Sequence, residues 1–290
     1  MIPGANCLIL ANSVAELALS LDYGPRVLGY CLKGHENVFK TYPEQLPGSG
    51  ETGWMIRGGH RLWVAPETAA TYVADNSAVT AERLSELAVR LTPAPETDNG
   101  IQKQLDVELA PHASTVTLTH RVTALQDLAA PISAWALTVM KPGGVAVVSQ
   151  PPLRPHPGDL DNNVDTTDQD YQANRQLALW HYTDPGDARF DWTADSLRVS
   201  QQAGMKSTKI GLQQTLGSVS YEVDGCCFTK SVPFTAGATY PDRGCNLEIF
   251  TNGEMLELET LSPLTQLQRG DLLVHTEIWS LSPLANSSTP

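Results

Sequence analysis

The sequence predicts an all-β, mostly antiparallel protein with few short helices. Three observations carry that reading. Apolar residues alternate with polar ones at period two along the whole length, 22 glycines and 20 prolines punctuate the runs, and an Asn-Gly pair sits between two alternating segments. In chain order, "ELALSLDY" puts Leu17, Leu19, Leu21 and Tyr23 on one side. "AERLSELAV" (81–89) is the short stretch whose pattern also fits a helix. "KQLDVELAP" alternates Leu105, Val107 and Leu109 with Gln104, Asp106 and Glu108, and "STVTLTHRV" and "LLVHTEIWSL" repeat the scheme. No fixed-period repeat points to a propeller or solenoid, and no linker of biased composition divides the chain, so one domain over 1–290 is expected. Residues 150–175, rich in Pro, Asp and Asn, read as one long loop, long enough to serve as a lid. Within it, Asp159, Asp161, Asn163 and Asp165 have calcium-loop spacing. Val164 stands where such a loop needs glycine and Asp170 where it needs Glu, so a solvated acidic loop without metal is expected.

Composition excludes several classes. Nineteen Lys plus Arg against 32 Asp plus Glu give a formal charge of −13, which repels nucleic acid. No apolar run approaches the ~20 residues that cross a bilayer. "MIPGANCLILANS" lacks the basic start of a signal peptide. Five cysteines at irregular spacing, without a C-x-x-C, make neither a disulfide framework nor a zinc knuckle. A reduced cytoplasmic setting is the simplest expectation.

"NLEIFTNGEMLELE" carries the acids. A two-residue type I′ turn at Asn252-Gly253 pairs Thr251 with Glu254 and, further out, Glu248 with Glu257 and Asn246 with Glu259. Leu247, Ile249, Leu256 and Leu258 then share the core face, and Asn246, Glu248, Glu257 and Glu259 the other. Glu257 and Glu259 lie roughly 7 Å apart, and facing carboxylates call for water, a cation or a ligand rich in hydroxyls. The turn "TYPDRGCN" brings Tyr240, Asp242 and Arg243 near this hairpin, and an aromatic ring beside acids and an amide suits a sugar. The alternative is a solvent-washed outer face.

"MIRGGHRLWVAPE" gathers Arg57, His60, Arg61 and Trp63 around Gly58-Gly59. It reads either as a loop for an anionic or hydroxyl-rich ligand or as a surface turn with incidental charges. Trp135, in an apolar strand, reads as core, and Lys209 as a solvated lysine. His120 shares a side with Val116, Leu118 and Val122 and reads as a hydrogen-bonded core residue. His60, between glycine and arginine and close to Trp54 and Trp63, is the histidine that stands out.

Taken together, "ELALSLDYGPRVLGYCLKGHENVFK", "IRGGHRLW", "YPDRGCNLEIF" and "LELETLSPLTQLQRGDLLVHTEIWSL" resemble, in order, the galactose mutarotase-like (aldose 1-epimerase-like) superfamily, in a bacterial branch. "IRGGHRLW" is similar to the Arg-Gly-Gly stretch of hexose-6-phosphate 1-epimerases. The resemblance implies a β-supersandwich whose concave sheet holds a monosaccharide, with no cofactor. It implies a glutamate that deprotonates the anomeric hydroxyl and an acid that protonates the ring oxygen, so that the ring opens, C1 rotates and the ring closes. Glu259 matches the base. Arg57 and Arg61 fall where the family contacts sugar or phosphate. Lys209, Tyr240, Asp242, Asn246, Glu248 and Glu257 are the further substrate-holding candidates, with Trp135 as a stacking wall. Trp135 also stands where the family's acid histidine is expected. His60 is then the candidate acid, Lys209 is a second if burial lowers its pKa, and the remaining readings are binding without turnover or a polysaccharide lyase or hydrolase.

Overall fold

The computed structural model describes residues 2, 4–46, 51–159 and 166–284. Its strands are β1 (Cys7–Ala11), β2 (Ala15–Ser20), β3 (Arg26–Leu32), β4 (Gly59–Ala65), β5 (Thr80–Ser85), β6 (Ala88–Thr92), β7 (Ile101–Leu109), β8 (Val116–Ala124), β9 (Ser133–Met140) and β10 (Val145–Ser149). They continue with β11 (Leu177–Leu179), β12 (Phe190–Trp192), β13 (Ser196–Ser200), β14 (Thr208–Leu212), β15 (Ser218–Val223), β16 (Cys226–Ser231), β17 (Leu247–Thr251), β18 (Leu256–Leu261) and β19 (Leu272–Pro283). One four-residue turn, α1 (Pro241–Gly244), whose Asp242 and Arg243 take left-handed backbone angles, and four 3-10 turns complete the described elements. Two sheets form, ordered β1-β2-β3-β4-β9-β18-β17-β14-β11 and β12-β13-β10-β15-β16-β19-β8-β7-β6-β5. The neighbouring strands run antiparallel, as along the central ladders β4–β9–β18–β17 and β7–β8–β19–β16.

The core lies between the sheets. Leu17, Leu19, Val27, Ile249 and Leu258 of the first pack with Leu105, Val107, Leu118, Phe228 and Trp279 of the second. Period two explains each contribution: Leu105, Val107 and Leu109 point inward while Gln104, Asp106 and Glu108 point out. The 81–89 stretch forms the β5–β6 hairpin, not a helix. Val89 and Leu91 reach the core from β6, which ladders onto β7, and that cross-strand pairing outweighs a weak local helical pattern. The five cysteines are free. No helix among the described residues is long and apolar enough to cross a membrane. Asp161, Asn163, Val164 and Asp165 of the acidic loop lie outside the described residues.

The second sheet inverts the alternation of β19. Leu272, Val274 and Ile278 face outward, whereas His275, Glu277 and Trp279 are buried. This polar inner face is fully paired. Glu277 accepts from Trp279 Nε1 at 2.7 Å and from the Thr260 hydroxyl, and pairs with Lys230 Nζ at 3.0 Å. His120 Nδ1 bonds the His275 carbonyl at 2.9 Å, as expected for a satisfied core histidine, and its Nε2 meets His60 Nε2 at 2.7 Å.

Burial drives His60, His120 and His275 toward their neutral forms, with His275 lowered to about 3. Their folded pKa values lie below the ordinary 6.5, so the unfolded chain binds more protons as the solution is acidified. Their stabilisation is full above about pH 6.5 and is lost as pH falls through the folded values, which for His275 is about 3, at up to about 1.4 kcal/mol per pH unit for each histidine. Urea unfolding at pH 7.5, 5.5 and 4.5 is expected to show that decline. The decisive slope is that of Glu248→Gln/Glu259→Gln, in which the two raised carboxyls no longer oppose it; no decline there would contradict a buried neutral triad.

Candidate functional site

Strand parity on the first sheet builds the site. In register, Trp63 lies opposite Trp135, Arg61 opposite Leu137, Leu137 opposite Glu259, Glu259 opposite Glu248, Glu257 opposite Phe250, and Phe250 opposite Lys209. All of these side chains leave the face away from the core. The Asn252 bend reaches this parity by a different route from the expected one. Neither Asn252 nor Gly253 has the positive φ of a type I′ turn. Asn252 Oδ1 instead accepts from the amides of Glu254 (2.8 Å) and Met255 (3.1 Å), closing a four-residue loop in which Thr251 pairs with Leu256. Gly253 is needed because a Cβ there would stand 2.7 Å from the Gly204 nitrogen. The register is therefore displaced by two residues, and a displacement of two leaves every side chain on its expected face.

The face carries a cavity of about 290 Å³. Its floor holds two charge clusters. Arg61 Nη1 donates to Glu257 Oε1 at 2.8 Å. Lys209 Nζ lies between Glu248 Oε2 (2.6 Å) and Glu259 Oε2 (2.8 Å). Trp135 Nε1 also donates to Glu259 Oε2, at 2.9 Å. Among the described residues no protein donor reaches Glu259 Oε1, although the residue lines the cavity. Aromatic walls surround the floor: Trp54, Trp63 and Tyr72 form a mutually packed group with centroids 5.0–5.5 Å apart, and Tyr182 and Phe250 close other sides. Gly211 leaves room for Trp180, whose ring would be 3.2 Å from a Cβ, to lie over Lys209. A larger cleft of about 690 Å³, bordered by Glu16, Tyr30, His35 and Lys141, lies elsewhere. Its Lys141 makes part-exposed ion pairs with Glu36 and Asp224, and it lacks the buried carboxylates that could move a proton.

Burial raises the pKa of Glu259 and raises that of Glu248 further, against the opposing pull of Lys209. The Lys209 ammonium loses hydration, but Glu259 and Glu248 outweigh that loss and hold its pKa above the ordinary lysine range, the reverse of the lowering by burial expected of Lys209 as a candidate acid. One lysine thus serves two carboxylates, and Glu248 Oε1 is buried without a protein partner. A carboxyl whose folded pKa is raised stabilises the fold below its unfolded value and loses that contribution as pH rises through the folded value. Glu248→Gln is therefore expected to melt higher than the wild type at pH 7–8 and to lose that advantage as pH falls toward 4. A variant that melts lower at pH 8 would show that the second carboxylate is needed to hold Lys209.

The structure brings Arg61, Trp135, Lys209, Glu248, Glu257 and Glu259 together, and it places the other sequence candidates elsewhere. His60 alternates to the core side of β4, fully buried, with Nδ1 at 2.8 Å from Thr138 Oγ1. Arg57, at φ 49°, turns into the protein, where its guanidinium meets the Gln45 carbonyl, Glu51 and Asn76 and lies over the Tyr23 ring. Gly58 and Gly59 let this segment cross other backbone: a Cβ on either would lie within 2.1–2.3 Å of the Lys40 or Val27 carbonyl oxygen. Tyr240 stacks on Phe234, and its hydroxyl accepts from the Thr235 amide. Asn246 bonds both backbone groups of Gln214. Asp242, at φ 48°, stands behind the cavity, close enough to add to the raised pKa of Glu248. The described parts of the 150–175 loop do not line the cavity. Trp54, Trp63, Glu67, Tyr72 and Tyr182 line it without having been singled out as site residues. Trp63 was within reach, because it sits two residues beyond Arg61 and so shares its face.

Fold and site together define an all-antiparallel β-supersandwich with an acidic, aromatic-walled pocket on the outer face of its first sheet. No protein-family model and no curated protein matches the chain by sequence. Solved structures do match by fold. A galactose mutarotase-like protein from Lactobacillus casei aligns over 96% of this chain and 100% of its own, with TM-score 0.58 and 11% identity. An aldose epimerase homologue from C. elegans aligns over 97% and 100%, with TM-score 0.55 and 8% identity. A galactose mutarotase related enzyme from Lactobacillus acidophilus aligns over 98% and 100%, with TM-score 0.51 and 10% identity. The chain has the galactose mutarotase-like fold.

Proposed function

We propose that this protein binds a pyranose in the concave pocket and interconverts its anomers, with Glu259 as the base. The observation that carries the reading is the state of Glu259. It is a buried carboxylate of raised pKa, held through Oε2 by Lys209 and Trp135, with Oε1 left for a substrate hydroxyl. Glu259 takes the proton of the anomeric hydroxyl while Lys209 protonates the ring oxygen, and the C1–O bond of the ring breaks to give the open-chain aldehyde. The two transfers support each other. Glu259 is the largest influence holding the lysine protonated, so the ammonium becomes a better acid as Glu259 is neutralised. Rotation about C1 and the reverse transfers close the ring on the other face. Trp54, Trp63 and Trp135 supply apolar ring faces for the sugar's C–H groups. The fold likeness supports the sugar and not the turnover.

The test follows freshly dissolved α-glucose and α-galactose by anomeric NMR signals or polarimetry. Faster approach to equilibrium with catalytic amounts of protein is the expected result. Saturable binding without acceleration would instead favour a sugar-binding protein, a reading favoured by the lack of a histidine among the described residues lining the cavity.

A further inference from the structure

The cations near "IRGGHRLW" invite an anionic ligand, yet in the folded chain none of them is available to one. Arg57 is buried away from the pocket, against Glu51 and Asn76. Arg61 carries Glu257 on Nη1 and lies over Trp63, 4.4 Å from its ring centre. Lys209 carries two carboxylates and lies over Trp135 and Trp180, each at 4.8 Å. At the rim Glu67 accepts the Tyr72 hydroxyl and has no basic partner among the described residues. Two cations therefore stand against Glu67, Glu257 and Glu259, with Glu248 directly behind Lys209.

Deepening the pyranose reading, on which it rests, we infer that the ligand of this pocket carries no anionic group: the site takes neutral or ammonium-bearing pyranoses and rejects sugar phosphates and uronates. A phosphate dianion would meet Arg61 only alongside Glu257, whose carboxylate already offsets the guanidinium charge, or would enter beside Glu259, whose lysine already serves two carboxylates. Low dielectric between aromatic walls strengthens that repulsion, and the chain's −13 formal charge adds to it at long range. The protein groups left without partners suit uncharged hydroxyls instead. Arg61 Nε and Trp54 Nε1, on two residues that line the cavity, are buried donors with no acceptor in the protein. Glu67 can take a hydroxyl or an ammonium.

Titration of the whole chain, read by tryptophan fluorescence or calorimetry, tests this with glucose, galactose, glucosamine, glucose 6-phosphate and glucuronate. Glucosamine should bind at least as tightly as glucose, and both anions at least about tenfold more weakly than the neutral sugars, with the gap narrowing as salt rises. Glu257→Gln frees Arg61 and should shift the preference toward glucose 6-phosphate. Glu67→Gln, at the exposed rim, gives a smaller shift in the same direction without disturbing the buried floor. Phosphate binding equal to or tighter than neutral-sugar binding overturns the inference while leaving the pyranose reading in place. Binding of none of the probes overturns that reading and this inference with it.

Discussion

Glu259→Gln is expected to slow anomer exchange by about 10²–10⁴-fold, the range that a positioned proton-transfer group contributes. The variant should fold. Glutamine keeps the shape and an oxygen for Trp135 Nε1, and Lys209 retains Glu248 at 2.6 Å. Removing one of two buried carboxylates that share a single ammonium also lifts part of the desolvation cost that raises both pKa values. The loss should therefore appear in kcat with little change in sugar affinity. Wild-type exchange rates in the variant would remove Glu259 from the chemistry.

Lys230→Met is expected to destabilise the protein by about 3–5 kcal/mol, a large part of the ~5–15 kcal/mol by which domains are stable. Lys230 is fully buried between the sheets. It pairs with Glu277 and donates to the Leu258 carbonyl at 3.1 Å, the residue between the two pocket acids. Without it Glu277 is a buried charge held only by Thr260 and Trp279. With the lysine present, Lys230 and the neighbouring histidines overcome burial and hold the Glu277 carboxyl well below the usual carboxylate range. That stabilisation is present above the unfolded value and is lost only in strong acid. The double variant Lys230→Met/Glu277→Leu should recover much of the loss, because it leaves no charge unpaired. Denaturant unfolding measures both, and a single-variant loss below about 1 kcal/mol would show the pair to be solvated.

Much of the fold was legible because its signal is local. Alternation placed Leu105, Val107, Leu247 and Ile249 in the core, and put Glu248, Glu257 and Glu259 on one face even though the hairpin closes two residues away from the expected register. Period-two geometry tolerates an even displacement. The site was half legible. Glu259 and Lys209 were named, but Lys209 read as solvated by its neighbours in the chain, and only its pairing with strands some 40–50 residues away makes it the hub of the pocket. His60 and Arg61 are adjacent and therefore point to opposite faces. Sequence context favoured both, and the sheet can bring only one of them to the cavity.

The amino-acid sequence by itself determined that this is an antiparallel β protein and which side chains share a face, because both follow from dihedral preferences and from a two-residue repeat within each strand. The tertiary structure decided which face is inside, as the polar inner side of β19 demonstrates, and which charges remain free. Ion pairs such as Arg61–Glu257 join residues 196 positions apart. Such partners are chosen by the packing of strands against one another, which no local pattern records.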